Sequence, residues 1–424
     1  SKNNLVLRCP DGMARFDANG NIAQRKGIWV LAGNNTYVEG FEFYGAAISY
    51  ADGDNGAGIR VGGNGLTCRR CYFHDNQEGI LTANDTTDNN IFIEACEFDH
   101  NGVETGGAAG FEHNIYVGHS TSCSIKFCYF HASIVGHEIK TRANRNYILY
   151  NHIVDGPTGD GSYSIDMPNG GLSFVIGNSI EKGPTTANST VISYGEEGII
   201  NPDSQFYFVN NTVVTDRDPT TFLNIQPGTK PALIANNIFA GQGHPIAGFT
   251  DTVSNVFNSD TSFFHFVDPA NYDYHTYGFP GFTNAVNLAP VDGFSLIPIS
   301  QYVDPEDSMP RADFIQFDNE VGAFEYISGG GSVAETHQQA FGNNFPNPFD
   351  KTTQIVLPSE FAGIQGAALS LYDATGALVL HKDYVEASSS IEFSRGNLAS
   401  GVYFYRIASR DGKLECFGSV VVSP

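Results

Sequence analysis

A short phrase recurs along most of this chain of 424 residues, and the recurrence limits the possible folds more than any other feature. The phrase reads CYF, CEF, CYF, NHI, NSI, NTV and NIF. Phe41 occupies the first position of the phrase one coil before the first of these seven. From Phe41 to Asn237 there are therefore seven steps in 196 residues, or about 28 residues per step. This spacing is too long for a meander of hairpins and too regular for a mixed globular fold. It predicts a parallel β-solenoid built from short strands.

The first position of the phrase predicts a ladder of stacked side chains. Equivalent residues of successive coils lie about 4.8 Å apart, so Asn amides at one position can bond along the stack. Buried thiols at the same position act as small apolar groups. The predicted ladder contains Cys71, Cys96, Cys128, Asn151, Asn178, Asn211 and Asn237.

Each phrase also supplies a residue that we expect to point into the core. These residues are Phe43, Phe73, Phe98, Phe130, Ile153, Ile180, Val213 and Ile238. A second repeated strand carries a central aliphatic residue, and alternation points Ile59, Ile115, Ile139 and Ile165 inwards. Their neighbours Arg60, Tyr116, Lys140 and Asp166 then point outwards, in register on nearby coils.

Composition excludes some partners. The net charge is −24, whereas a nucleic-acid partner or an anionic membrane surface needs a basic protein surface. No run of 18 apolar residues occurs, so we expect no transmembrane segment. We expect no cofactor, apart from a conceivable Ca²⁺ site at Asp52 and Asp54.

The pattern divides the chain into four parts. Residues 1–248 form the coils, and the aromatic and Pro-rich residues 249–326 form an irregular cover over the C-terminal end, with the last coil. Residues 327–340 are a Gly/Ser-rich linker. Residues 341–424 alternate as an antiparallel β-sandwich does.

Several motifs in this last part occur in a fixed order. They are NFPNPF at Asn344–Phe349, then Thr353 and Ile355, Leu371-Tyr372-Asp373, Thr375-Gly376, Leu398–Tyr405 and the strand 418–422. The segment resembles the sorting domain of the type nine secretion system of Bacteroidota. The resemblance implies recognition by the secretion machinery and export to the cell surface or beyond.

The first 326 residues, with phrases such as His113–Gly118 and Pro168–Gly171, resemble the right-handed parallel β-helix proteins of the pectate-lyase-like group. The whole chain is therefore predicted to be all-β, with a right-handed parallel β-helix followed by a small antiparallel β-sandwich. The group contains polysaccharide lyases, glycoside hydrolases, adhesins and inert scaffolds, and the fold alone does not choose among them.

One outward strip collects most of the candidate chemistry. Glu138 and Arg142 are expected to flank Lys140 on its outward face, with His113 nearby. For a uronate lyase, Lys140 is the candidate base, Arg142 holds the substrate carboxylate, and Tyr116 or His113 is the acid. A hydrolase would use Glu138 and Asp166. The strip also fits non-catalytic polysaccharide binding, or a salt-bridge ladder with Lys140 between Asp166 and Glu138.

The two ends of a solenoid can also carry a function, because each end presents a surface that another chain can bind. We expect the first strand, at Leu5, Val6 and Leu7, to present an uncapped edge to a second copy of the chain. Contact between two different surfaces does not close and so gives a filament. The leading hypothesis is therefore a secreted cell-surface protein with a structural role that self-assembles end to end. The alternatives are a polysaccharide lyase or glycan-binding protein, and an adhesin.

Overall fold

The computed structural model describes residues 2–10, 12–104, 109–248, 250–277, 282, 285–311, 320–325, 339–341, 343–347, 349–357, 361, 365–373, 378–386, 390–409 and 415–422. Three long sheets of parallel strands and several small sheets make up nearly all of the regular structure. Three short 3-10 helices occur in the described residues, at Tyr50–Asp52, Thr261–Phe264 and Pro269–Asn271. The predicted all-β class and parallel β-helix are confirmed.

The strands of the β-helix follow one another in coils of three. In chain order they are β1 (Val6–Arg8), β2 (Ala14–Asp17), β3 (Gly27–Leu31), β4 (Thr36–Glu39), β5 (Phe41–Tyr44), β6 (Ala57–Val61), β7 (Leu66–Arg69), β8 (Tyr72–His74), β9 (Glu78–Thr82), β10 (Asn90–Glu94), β11 (Glu97–Asp99), β12 (Ile115–Val117), β13 (Ser122–Lys126), β14 (Tyr129–His131), β15 (Ile139–Thr141), β16 (Arg145–Leu149), β17 (His152–Val154), β18 (Ile165–Met167), β19 (Leu172–Ile176), β20 (Ser179–Lys182), β21 (Thr190–Tyr194), β22 (Phe206–Val209), β23 (Thr212–Thr215), β24 (Thr221–Ile225), β25 (Ala232–Ala235), β26 (Ile238–Gly241), β27 (His244–Ala247), β28 (Asp251–Val253) and β29 (Val256–Asn258). Every third strand from β1 to β28 belongs to sheet A, from β2 to β29 to sheet B, and from β3 to β27 to sheet C.

A column of aromatic and aliphatic side chains fills the interior beside sheet B. Phe43 and Phe73 stack with ring centroids 5.2 Å apart, and Phe98 and Phe130 continue the stack at the same inward position. All four rings are fully buried. In the ninth coil the inward residue is Phe239, which pairs with Val213. The prediction of Ile238 was wrong by one residue, and alternation turns Ile238 outwards.

The Cys and Asn residues of the recurring phrase lie in one buried column at the turn between sheets A and B. The amide of Asn151 donates to Oδ1 of Asn178 at 2.9 Å, and Asn178 donates in turn to Asn211 at 2.9 Å. Each amide also donates to a backbone carbonyl, as Asn178 does to Ile148. The column continues beyond the predicted residues to Asn255, which accepts from Asn237 at 2.8 Å.

A second ladder lies at the turn between sheets B and C. Asn76 donates to Asn101 at 2.9 Å, Asn101 donates to Asn114 at 2.7 Å, and Asn114 donates to Glu138. All four side chains are buried. The two ladders satisfy polar backbone groups that the turns would otherwise leave unpaired inside the coil.

The last strands of the coils, β28 and β29, end at Asn258 and fall within residues 249–326, the part predicted to contain the last coil and the cover. The cover contains the strands β30 (Phe266–Asp268), β31 (Asp273–Thr276), β32 (Ser300–Val303) and β33 (Asp307–Pro310). It packs against the outer face of sheet B rather than over the end of the coil. The reason is that Val214, Ile238 and Ala240 make that face apolar, and Phe264 and Tyr302 bury it.

The C-terminal unit has its own core. Its strands are β34 (Gln339–Phe341), β35 (Asn343–Phe345), β36 (Thr352–Val356), β37 (Gln365–Asp373), β38 (Leu378–Glu386), β39 (Ser390–Ser394), β40 (Gly401–Ser409) and β41 (Glu415–Val422). They form a five-stranded and a three-stranded sheet, mostly antiparallel, around residues such as Ile355, Leu369 and Phe393. Residues 327–338 of the predicted linker lie outside the described part of the chain.

The ladder at the turn between sheets A and B makes a testable contribution to stability. We expect Asn178→Ala to lower the free energy of unfolding by roughly 2–4 kcal/mol, because each buried polar group left unpaired costs about 1–3 kcal/mol. Chemical denaturation followed by circular dichroism measures the change. Asn21→Ala is the matched control, since Asn21 is exposed. Equal stability of the two variants would contradict the ladder's role.

Candidate functional site

The strip on the outer face of sheet C is built by strand register. Tyr116 pairs with Lys140, Lys140 pairs with Asp166, and Asp166 pairs with Ser193 on successive coils. Parallel strands in register place such side chains next to one another. The structure therefore brings Tyr116, Lys140 and Asp166 together, as the alternation of the sequence predicts.

Arg142 extends the strip beyond the end of β15. Its Nε donates to the hydroxyl of Tyr116 at 2.7 Å, and its Nη1 donates to Oδ1 of Asn169 at 2.5 Å. The rest of the guanidinium binds Glu197, with Nη1 2.7 Å from Oε2 and Nη2 2.9 Å from Oε1. The fork proposed for a substrate carboxylate thus already holds a carboxylate of the same chain.

Lys140 lies between two carboxyl groups. Its Nζ is 3.6 Å from Oδ2 of Asp166 and 3.7 Å from Oε1 of Glu197. Burial raises the pKa of Asp166 to about 6, although Lys140 acts against this rise. Hydrogen bonding from Arg142 lowers the pKa of Glu197. The two neighbouring carboxyl groups therefore titrate in different pH ranges, Asp166 near pH 6 and Glu197 below its usual range.

Two neutral histidines border the strip. The rings of His113 and His137 stack with centroids 4.4 Å apart. Nδ1 of His113 accepts from the backbone N–H of His137 at 3.0 Å, and Nδ1 of His137 accepts from that of Tyr163 at 3.2 Å. These bonds assign the proton of each neutral ring to Nε2. Burial lowers the pKa of both histidines well below the usual value, so both stay uncharged at neutral pH.

Some buried polar atoms of the strip have no partner among the described residues. They include Nε2 of His113 and Oδ1 of Asp166. Unpaired polar atoms are uncommon in buried positions, and a bound water or ligand often explains them. A molecule carrying hydroxyl groups could accept from His113 and donate to Asp166.

Glu138 does not belong to this strip. It comes just before β15, at the turn, where alternation no longer applies, and its side chain points inwards to accept from Asn114. Glu138 is fully buried. The expected hydrolase pair of Glu138 and Asp166 therefore does not face one bond, and Lys140 is not placed between Asp166 and Glu138.

The other candidate residues lie elsewhere. Asp52 accepts from Arg25 at 3.0 Å and from Ser49 at 2.7 Å, whereas Asp54 accepts from Gln77 at 2.6 Å. In the part of the chain that the structure describes, no group of three or more His, Cys, Asp or Glu side chains could hold a metal ion. Leu7 in β1 packs on the core, and Val6 beside it is 61% exposed.

Sequence reasoning missed Glu197 and Asn169. Both lie in loops that return to the strip from later coils, and a loop leaves no periodic signal. The second ladder did leave a periodic signal in the sequence, because Asn76 and Asn101 each come three residues after a core Phe. Asn255, two residues before Phe257, repeats the spacing of the first ladder.

Comparison with known proteins bears on the C-terminal unit. Residues 343–417 match the family described as the secretion system C-terminal sorting domain. The predicted sorting domain is thus confirmed, and the chain is secreted to the outer cell surface or beyond through its secretion machinery. No curated protein and no solved structure matches the chain significantly. No helix among the described residues is long and apolar enough to cross a membrane.

The raised pKa of Asp166 has a consequence for stability. Its folded pKa of about 6 lies above the usual value of 3.8 for an aspartate in an unfolded chain. The cost of the ionised carboxylate is therefore present above pH 6 and is relieved as the pH falls towards 4. Asp166→Asn mimics the protonated group. We expect the stability of this variant relative to wild type to rise by up to about 3 kcal/mol from pH 4 to pH 8, at about 1.4 kcal/mol per pKa unit. Urea denaturation at each pH measures the difference, and a constant difference would refute the shift.

Proposed function

We propose that copies of this exported protein stack end to end through the first and last coils of the β-helix and build an extracellular filament or layer. The C-terminal sorting domain, residues 343–417, takes the chain to the outside of the cell. The observation that supports the proposal is that one column of core side chains runs from Phe16 to Phe257, and that Phe257 in the last coil is 41% exposed.

The two ends of this column match each other. Phe257 in β29 pairs with Phe239 and occupies the inward position, yet it is 41% exposed. Phe16 in β2 pairs with Phe43 and stacks on it at 5.7 Å. In a stacked pair, Phe257 of one copy meets Phe16 of the next, and the aromatic column continues across the junction.

The backbone at both ends supports the same contact. β28 and β29 are the last strands of sheets A and B, and β1 and β2 are the first. Edge strands present unpaired N–H and C=O groups that another parallel strand can bind. In the register of the coils, Leu7 of one copy faces Thr252 of the other, and Val6 faces Asp251. In such a stacked pair, the assembly residues predicted from the sequence, Leu5, Val6 and Leu7, would lie at the junction.

A contact between the first coil of one copy and the last coil of another joins two different surfaces. Such a head-to-tail contact does not close and gives an open filament.

The strip on sheet C supports a second candidate function, which is binding or cleavage of a polysaccharide. The observation that favours it is the set of unpartnered polar atoms, Nε2 of His113 and Oδ1 of Asp166, beside Lys140. A carboxylated sugar would have to displace Glu197 from Arg142. A neutral sugar could instead reach His113 and Asp166 without that displacement.

The assembly proposal predicts the effect of a charge at the open core. Phe257→Glu should weaken association of the full chain at least roughly tenfold, because burying a Phe contributes about 1.5–3 kcal/mol and about 1.4 kcal/mol is a factor of ten. Sedimentation velocity over a range of concentrations measures the association.

Phe92→Glu is the matched control. Phe92 is 46% exposed on the side of the coil, outside both ends, and its substitution should leave association unchanged. A wild-type chain that remains monomeric at every concentration would refute the assembly. Equal weakening by both variants would show that the contact lies elsewhere.

The second candidate predicts an effect of the internal carboxylate. Glu197→Gln should increase binding of a polyuronate severalfold, because it frees Arg142 and Lys140, and Lys140→Ala should abolish it. Isothermal titration calorimetry measures binding, and ultraviolet absorbance detects an unsaturated lyase product. The absence of binding by wild type and by Glu197→Gln across acidic and neutral polysaccharides would rule this function out.

A further inference from the structure

A lysine and an aspartate are enclosed together inside the coil, separate from the strip. Val154 and Glu181 pair in register in sheet B, so Asp155 and Lys182, the next residues, lie side by side on adjacent coils and point inwards. Lys182 is fully buried and Asp155 is 3% exposed. Nζ of Lys182 lies 3.2 Å from Oδ2 of Asp155.

The surroundings hold the amine but not the carboxyl group. Nζ of Lys182 donates to the backbone carbonyls of Ser162 and Gly161. Among the described residues, the carboxyl group of Asp155 has only its ion pair with Lys182 and the nearby backbone N–H of Gly183, and neither makes a hydrogen bond of good geometry. A buried ion pair with incomplete hydrogen bonding recovers little of the cost of removing two charges from water.

A third group, the carboxyl group of Glu138, contacts a residue that lies beside this pair. Glu138 accepts from the backbone N–H of Ser133 at 3.0 Å. Ser133 and Asp155 border the same small space, because a Cβ on Gly161 would come 2.5 Å from Oδ1 of Asp155 and 2.9 Å from Oγ of Ser133. Burial, and then the charge of Asp155, raise the pKa of Glu138 to about 7, so that it can carry or release a proton near neutral pH.

We propose that Lys182 and Asp155 join in an intramolecular isopeptide bond between adjacent coils. Nζ of Lys182 attacks Cγ of Asp155, an N–C bond forms and one Cγ–O bond breaks. The oxygen leaves as water with two of the three hydrogens of the ammonium group, and the third stays on the amide nitrogen. Glu138 takes up one of these protons and returns it to the leaving oxygen, so it is not consumed.

Two physical factors favour the reaction. The fold holds the nucleophile and the carboxyl group in contact, which replaces a bimolecular encounter by an intramolecular one. The product is a neutral amide, so the fold no longer carries two buried charges, and the water can leave for solvent. A bond between coils would also strengthen a protein that works outside the cell.

Mass spectrometry of the full chain tests the bond. The reduced, denatured wild-type protein should be lighter than its sequence by one water, and a tryptic digest should contain one branched peptide that joins Asp155 to Lys182, with no cleavage after Lys182. A cyclic imide at Asp155-Gly156 would also lose water, but it would leave Lys182 open to trypsin. A wild-type mass equal to that of the sequence would overturn the proposal.

Three variants separate the roles. Lys182→Gln should restore the full mass and remove the branched peptide. Glu138→Gln keeps both reacting groups. A mass equal to that of its sequence, with no loss of water, would support proton transfer by Glu138. Retention of the bond in this variant would refute that role. Asp160→Asn is the matched control, since Asp160 is a neighbouring acid that accepts from Val135, and it should keep the loss of water. Loss of the bond in Asp160→Asn would count against the assignment to Asp155.

Discussion

The structure depends on the register between successive coils. Backbone hydrogen bonding sets the spacing of parallel strands, and that spacing is also suitable for stacking aromatic rings and for bonding one side-chain amide to the next. Phe73 on Phe98 and Asn178 on Asn211 use the same repeat as the strands. A slip by one residue would turn the core column outwards and break the ladders together.

The same register places the charged groups. On sheet A, Glu94 lies between Arg69 at 2.7 Å and Lys126 at 3.2 Å, and although burial alone would raise the pKa of Glu94, these cations lower it to about 2. On sheet C, Lys140 and Asp166 follow the same geometry, but the raised pKa of Asp166 distinguishes that strip. Inside the coil, the register brings Lys182 to Asp155. One rule of stacking therefore yields a structural ladder, a candidate binding strip and a candidate cross-link.

The sequence predicted what the repeat controls. The Asn and Cys column, the inward Phe residues and the outward Tyr116, Lys140 and Asp166 all follow from period and alternation. Glu138 was misplaced because it lies in a turn, where alternation ends. Glu197 could not be found, since only the folded loop brings it to Arg142. The face on which the cover packs could not be predicted, because the apolar outer surface of sheet B becomes apparent only when the coils are stacked. The sorting domain was predicted from motifs, because its residues occur in a fixed order.

The two ends of the β-helix connect this internal order to a function outside the cell. Phe16 and Phe257 occupy the same column of core side chains, in the first and in the last coil. Electron microscopy of the full-length protein tests this account most directly. It predicts unbranched filaments with an axial repeat of roughly 48 Å, since each copy contributes ten strands to sheets A and B at a spacing of about 4.8 Å. Isolated single particles at all concentrations, or filaments with an unrelated repeat, would contradict it.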